Sequence, residues 1–280
     1  MFGGRFGLER RIGRGGMGEV WLASDNELGR DVALKFAPAE VANDPKSIAE
    51  LRREVIAGLE LSHPRIARVY DLQVGDGEAA ISMECVPGKS LSDLQADTPH
   101  GFFEPEDIAG WIDDVKDALE YAHTEAQRTH RDVKPKNILV DSRTGRAKLV
   151  DFGISKRLSD SFTRNTGKDS SGSLAYMSVQ QLRGEMTAAE DDWYSLGATV
   201  YELLTGAPPF FQGDLRTQIE RVEPPSMMER RKVLVGEVID AEGEPISEEW
   251  EAWVAGLLAK DREARQAWLG KPGTVRETVV

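Results

Sequence analysis

Between His130 and Gly153 the chain reads HRDVKPKNILVDSRTGRAKLVDFG, where acids, an amide and cations surround two short apolar runs. The runs, Ile138 to Asp141 and Ala147 to Val150, flank Ser142-Arg143-Thr144-Gly145-Arg146, by composition a five-residue hairpin loop. If Asp141 lies opposite Ala147, the same register sets Asn137 opposite Asp151, about 4.5–5.5 Å apart at Cβ. An amide oxygen and a carboxylate at that separation suit Mg²⁺, a hard cation that takes few protein oxygens and completes its octahedron with water and phosphate. Asp132 lies five residues before Asn137. Beside a metal-bound phosphate, its carboxylate is placed to orient a hydroxyl nucleophile and take its proton. The chemistry indicated is metal-assisted phosphoryl transfer; the bland alternative is a charged loop next to an ordinary hairpin.

The order His130-Arg131-Asp132, Asn137, Asp151-Phe152-Gly153 resembles the catalytic core of the eukaryotic-like protein kinases, H-R-D-x-x-x-x-N followed by D-F-G. Seven specified residues coincide by chance about once in 10⁹ starting points at ordinary residue frequencies. The resemblance implies a two-lobed α+β fold: a small antiparallel β-sheet N-lobe with one helix, and a larger, mainly α-helical C-lobe. It extends over about residues 6 to 268.

Stepping outward, the positioning elements are legible as patterns. Phe6, Leu8 and Ile12, then Val20 and Leu22, alternate with more polar residues as half-buried strands do. Gly13, Gly15 and Gly18 fill the turn between them, letting backbone N–H groups approach phosphate without a Cβ in the way. Alone, G-x-G-x-x-G also fits a flexible hairpin or a dinucleotide-binding turn. No helix pattern follows, however, and Val20 completes the kinase form G-x-G-x-x-G-x-V. The resemblance makes Ile12, Gly13, Arg14, Gly15, Gly16, Met17, Gly18, Glu19 and Val20 the nucleotide-covering loop. In Asp31 to Phe36 the period of two puts Val32, Leu34 and Phe36 on one face and Ala33 and Lys35 on the other. Lys35 is an edge-strand lysine or, by the match of Val-Ala-Leu-Lys to the kinase third strand, the holder of the α- and β-phosphates, with Ala33 and Val20 roofing the adenine. Asp44-Pro45 starts a helix with the apolar stripe Ile48, Leu51, Val55 and Leu59. Glu54 on that helix is a surface charge or the partner of Lys35 that the family supplies. Two strands, Ile66 to Val74 and Glu78 to Val86, close the sheet; Met83 falls at the family's gatekeeper position, where it also suits core packing, and Glu84 to Val86 at the adenine-binding hinge. Phe103 to Ala126 and Trp193 to Leu204 are helices, the second apolar nearly all round and therefore buried. Asp192, just before it, is placed by the resemblance to brace the catalytic loop. Segments Leu215 to Val222 and Ser247 to Ala259 are amphipathic.

Composition narrows the function classes. With 280 residues, 40% of them hydrophobic, the chain can bury a large core, and a formal charge of -13 argues against nucleic acid. A lone cysteine, Cys85, excludes an internal disulfide and fits a reducing, cytoplasmic compartment. There is no signal-peptide pattern at the start and no apolar run of the roughly 18 residues that a membrane helix needs. The resemblance nonetheless is to bacterial kinases that are often cytoplasmic domains of longer receptors. The expected division is 1–86 for the N-lobe, 87–270 for the C-lobe and 271–280 for a tail or linker.

The expected activity is transfer of the γ-phosphoryl group of ATP, with Mg²⁺ or Mn²⁺, to serine and threonine hydroxyls of proteins. Asp132 would be the base, Lys134 the cation beside the moving phosphoryl, and Asn137 and Asp151 the metal ligands. Lys134 matches the serine/threonine form, and Ser173, which stands where the family usually has threonine, keeps the hydroxyl. Ser155 to Ser171 carry seven hydroxyl residues and read as a disordered loop or as an autophosphorylated segment, Thr163 and Thr166 first, that pairs with Arg131; self-association for phosphorylation in trans follows from the second reading. The chain departs from the family at Ser178-Val179-Gln180, where Gln180 stands for a glutamate that pairs with a late arginine, here Arg265; a less well compensated arginine is expected. The rival readings are a scaffold of the same fold without turnover, a small-molecule phosphotransferase, and an arginine-glycine RNA binder.

Overall fold

The computed structural model describes residues 2–15, 18–75, 77–152, 171–235 and 245–269. The alternating N-terminal segments form β1 (Phe6–Gly15), β2 (Gly18–Asp25), β3 (Arg30–Phe36), β4 (Val69–Gly75) and β5 (Glu78–Glu84), an antiparallel sheet in the order β1-β2-β3-β5-β4. Both faces of β3 are covered, as its alternation requires. Val32 and Leu34 pack with Phe2, Phe6 and Ala80, while Ala33 packs with Leu51, Val55, Ile81 and Met83 under the helix. That helix, α2 (Pro45–Leu59), opens on Asp44, whose carboxylate accepts from the Lys46 and Ser47 N–H groups. Two expectations change here. A four-residue helix α1 (Ala39–Ala42) precedes α2 and buries Val41, so the N-lobe holds two helices rather than one. Leu59 is 49% exposed, because α2 makes its closest sheet contact through Gly58, where a Cβ would stand 3.1 Å from Val69.

β4 begins at Val69 and not at Ile66. Ile66 instead forms a parallel bridge to Leu149, and the Ala67 N–H donates to the Leu149 carbonyl, so this short segment docks on the second sheet. That sheet comprises β6 (Gly88–Ser90), β7 (Ile138–Asp141) and β8 (Ala147–Leu149) in that order. β7 and β8 pair with Val140 opposite Ala147, one residue from the expected register. The Asp141 N–H bonds the Arg146 carbonyl, and the Asp141 side chain accepts from the Arg143 N–H, closing a four-residue loop with Gly145 at φ +68°.

The larger lobe is assembled around α4 (Pro105–Thr124) and α6 (Ala189–Thr205). Residues 191–201 of α6 are buried in unbroken succession, and Gly206 ends the helix at φ +92°. Around this axis lie α3 (Leu91–Ala96), α5 (Val179–Leu182), α7 (Leu215–Arg221), α8 (Met227–Val235), α9 (Glu248–Leu257) and α10 (Arg262–Gln266). Gly197 lets α9 approach α6, since a Cβ there would lie 2.8 Å from that of Leu257. Among the described residues no helix is long and apolar enough to cross a membrane.

Candidate active site

The loop from His130 to Asn137 is held from beneath. Asp192, fully buried in α6, accepts from the His130 N–H at 2.7 Å and the Arg131 N–H at 2.6 Å, and contacts His123 Nε2 at 2.8 Å. Arg131 has φ +71°, a strained conformation for a residue that carries a Cβ, and the two bonds that its own N–H and the His130 N–H give to the Asp192 carboxylate hold it there. The His130 ring bridges the loop to the strand that follows it. Nε2 lies 2.9 Å from the Val150 carbonyl, and Nδ1 accepts from the Asp132 N–H at 3.3 Å. Phe152 stands edge-on to that ring at 4.5 Å. The role of His130 was not legible beyond its place in the motif.

On this platform Asp132, 7% exposed, receives Lys134 Nζ at 2.9 and 2.7 Å on its two oxygens and Asn137 Nδ2 at 2.9 Å. Lys134 also donates to Ser173 Oγ at 2.8 Å, joining Asp132 to the segment around Ser173. Asn137 spends its amide nitrogen on Asp132, on the backbone carbonyl as well as the carboxylate, and those bonds leave its oxygen for another partner. Asp151 sits across the cleft from β3, with Lys35 Nζ 2.6 Å from its Oδ2. Lys35 is 4% exposed, so this ion pair is largely out of water.

The way Asn137 and Asp151 arrive here corrects the sequence argument. In the observed register Asn137 faces Val150, whose N–H donates to the Asn137 carbonyl at 3.0 Å. Neither metal-ligand candidate lies in a strand: Asn137 ends a 3₁₀ turn, Pro135–Asn137, and Asp151 has φ +66°. A left-handed residue redirects its side chain out of the strand alternation, so the one-residue slip does not carry Asp151 to the wrong face. The donor set, one amide oxygen and one carboxylate beside a lysine, has the hard-oxygen character that Mg²⁺ or Mn²⁺ takes.

The nucleotide-facing candidates line the sheet above. β1 and β2 meet at Gly15 and Gly18, and Gly18, φ +114°, presses so close to the Phe36 carbonyl that a Cβ would sit 1.9 Å from it. Gly16, Met17 and Gly153 lie outside the described residues, as do Ser155 to Ser170 with Thr163 and Thr166. Ile12 is 42% exposed; Arg14 and Glu19 form the opposed pair next to the turn, with Glu19 also bonding Arg11 and Trp21. Val20, Ala33 and Met83 fall in one apolar cluster under the sheet with Val69. Glu54 is half-buried on α2 one residue before Val55 of that same cluster. At the hinge, Glu84 bonds Lys148 of β8, Val86 is 9% exposed, and burial raises the Cys85 thiol pKa. The Lys148 to Glu84 link between the lobes has no local sequence signal, because its members are 64 residues apart.

Gln180 accepts from Arg265 Nη2 at 2.8 Å as an amide can, and its own Nε2 donates to the Lys260 carbonyl. The carboxylate that the motif lacks is supplied from elsewhere: Asp191 lies 3.5 Å from Arg265 Nη2 and 2.8 Å from Arg262 Nη2. Arg265 is therefore better compensated than the sequence implied, although burial still lowers its pKa. Next to this, the Tyr176 hydroxyl donates to Glu202, and burial raises the pKa of both groups.

Comparison with known proteins places nearly the whole chain in one family. The protein kinase domain model matches residues 6–269. The chain is 37% identical over 281 residues to the probable serine/threonine-protein kinase PknB of Bifidobacterium longum, covering 95% of this chain and 38% of that protein. It is 39% identical over 207 residues to the serine/threonine-protein kinase PrkC of Bacillus subtilis, covering 74% of this chain and 31% of that one. The chain thus spans about a third of the length of these relatives. The crystal structure of the Mycobacterium tuberculosis PknI kinase domain superposes with a TM-score of 0.71 at 25% identity, covering 94% of this chain and 91% of that one. By match, by relatives and by fold, the chain belongs to the protein kinase domain family.

Proposed function

We propose that the chain transfers the γ-phosphoryl group of ATP to serine and threonine hydroxyls of proteins. The observation behind this reading is the contact chain Asn137–Asp132–Lys134–Ser173, which places a buried carboxylate, a cation and a hydroxyl-bearing receiving segment within successive hydrogen bonds. Asp132 orients the incoming hydroxyl and takes its proton, and Lys134 faces the charge that develops on the transferred group. Lys35, positioned by Asp151 and Glu54, holds the α- and β-phosphates, and the Gly13 to Gly18 turn covers them with backbone N–H groups. Asn137 and Asp151 would hold Mg²⁺ or Mn²⁺, which when bound neutralises phosphate charge. Ala33, Val20 and Met83 enclose the adenine against the Glu84 to Val86 hinge.

The division of labour follows the lobes, 1–86 above and 87–270 below, with 271–280 as tail or linker. Phosphorylation of Thr163 or Thr166 by a second copy, read by Arg131, is the regulation that the residue pattern supports. The lone half-buried Cys85 and the likeness to long bacterial relatives support a cytoplasmic catalytic domain.

A γ-labelled ATP assay with a generic basic protein, wild type beside Asp132→Ala and Lys35→Met, tests this. Asp132→Ala should lose roughly 10²–10⁴ in rate while retaining nucleotide binding. Undiminished transfer in that variant, or no transfer by the wild type with its activation segment phosphorylated, would refute the reading.

A further inference from the structure

Away from the active site, the helical lobe carries a cavity of about 600 Å³, a size typical of pockets that take small ligands or a few side chains. Its floor is apolar, built from Tyr201 of α6, Met228 of α8, Ile246, and Val254 of α9. Its rim is acidic. Glu223 and Glu248 border it and are exposed, and among the described residues no lysine or arginine lines it. A third lining acid, Glu251, is spent: it accepts from the Met227 and Met228 N–H groups at the start of α8. Among the described residues neither Glu223 nor Glu248 forms an ion pair, and the ammonium of Lys260 is buried over the Phe210 ring at 4.7 Å.

We propose that this groove docks a peptide segment of a partner protein in which a basic residue lies next to a large apolar one. The apolar side chain enters the cavity, where methionines adapt to its shape. The adjacent cation meets Glu223 and Glu248. The same acidic rim disfavours fatty acids, anionic lipid and nucleotides, whose charges would face carboxylates. None of the residues lining the cavity is among the candidates around Asp132, so the site is separate from that cleft. If the chain is a protein kinase, as proposed above, this is a place for recruiting substrate proteins at a distance from the acceptor hydroxyl.

Binding is measured without ATP, so that failure of docking is distinguishable from failure of catalysis. The probes are fluorescein-labelled peptides of sequence GKRLLGG and GEELLGG, with the whole chain in excess. The basic peptide should bind about tenfold more tightly than the acidic one, the size expected when two rim ion pairs change sign. Ala255→Trp, which fills the groove from an exposed position on α9, should abolish binding; Ala252→Leu is the second variant should that chain fold poorly. Glu223→Gln with Glu248→Gln should erase the preference. Labelling of a short serine peptide that lacks the motif should be unchanged in all of these variants. Equal binding of the two peptides, no binding of either at about 1 mM, or full binding by the filled variants overturns the proposal. Tenfold tighter binding on deletion of residues 270–280 would also overturn it, by assigning the groove to the chain's own tail.

Discussion

Replacing Asp191 by asparagine removes one charge and one acceptor oxygen. The side chain is 1% exposed; Oδ1 accepts from Ser178 Oγ at 2.8 Å and Oδ2 from the Ala188 N–H at 3.0 Å, and an amide whose oxygen keeps the Ala188 bond can donate its NH2 to the Ser178 hydroxyl oxygen. What disappears is the carboxylate 3.5 Å from Arg265, a guanidinium with 0% exposure whose other partners, Gln180 Oε1 and the Ala259 carbonyl, are neutral. Leaving one member of a buried ion pair alone costs about 3–5 kcal/mol, whereas the partly exposed Arg262 interaction contributes under about 1 kcal/mol. Against a total stability of about 5–15 kcal/mol this is severe. Urea unfolding followed by tryptophan fluorescence should show that loss at an unchanged slope, and melting should fall by roughly 6–20 °C. The cause is isolated by adding Gln180→Glu, which puts a carboxylate where an oxygen already lies 2.8 Å from Arg265 and forfeits the bond to the Lys260 carbonyl, worth about 1 kcal/mol. In the Asp191→Asn chain it should restore about half of the loss; in the parent chain, already supplied with a carboxylate, it should be neutral within about 1 kcal/mol. A loss below about 1 kcal/mol for Asp191→Asn, or an equal effect of Gln180→Glu in both backgrounds, would refute the assignment.

Asp192→Asn should lower kcat by about 10²-fold with little change in the KM for ATP, because the loop that carries Asp132 loses an acceptor for one of two backbone donors; steady-state kinetics with ATP varied separates this from a binding defect. Glu202→Gln should raise stability, and more at pH 8 than at pH 5. Burial raises the folded-state pKa of Glu202 above its unfolded value, so the group stabilises the fold while protonated and that contribution is lost as pH rises through the folded value; melting temperatures across this range check the sign. Gly18→Ala should cost about 2–4 kcal/mol and weaken nucleotide binding, since its φ of +114° and the Phe36 carbonyl both exclude a Cβ; chemical denaturation with and without nucleotide reads both effects.

The parts of the site legible in the sequence are those in which a short period or motif carries the information. Lys35 is legible on the face it shares with Ala33 because β3 is regular, and Asp192 is legible only through the resemblance of its surroundings to the family's central lower-lobe helix. The register of β7 and β8 was not legible. Alternation cannot tell a four-residue loop from a five-residue one, and the deciding feature, the Asp141 side chain folding back on the Arg143 N–H, depends on local geometry. Asp151 reached the cleft through a left-handed backbone that no periodicity encodes. α8 was missed because its apolar residues follow no helical stripe. The counter-charge for Arg265 was missed because Asp191 is 74 residues away in sequence and is found only once α6 and α10 pack.

Phe36 stands where both faces of the small sheet meet the turn. Its ring meets Phe2 edge-on, with centroids 5.0 Å apart on the outer side of the sheet, while its carbonyl buttresses Gly18 and its neighbour is Lys35. One residue therefore joins the outer skin of the small lobe to the turn and to the ammonium beneath it. If the turn and Lys35 grip a nucleotide as proposed, Phe2→Ala should weaken that binding from a face of the sheet that the nucleotide does not touch.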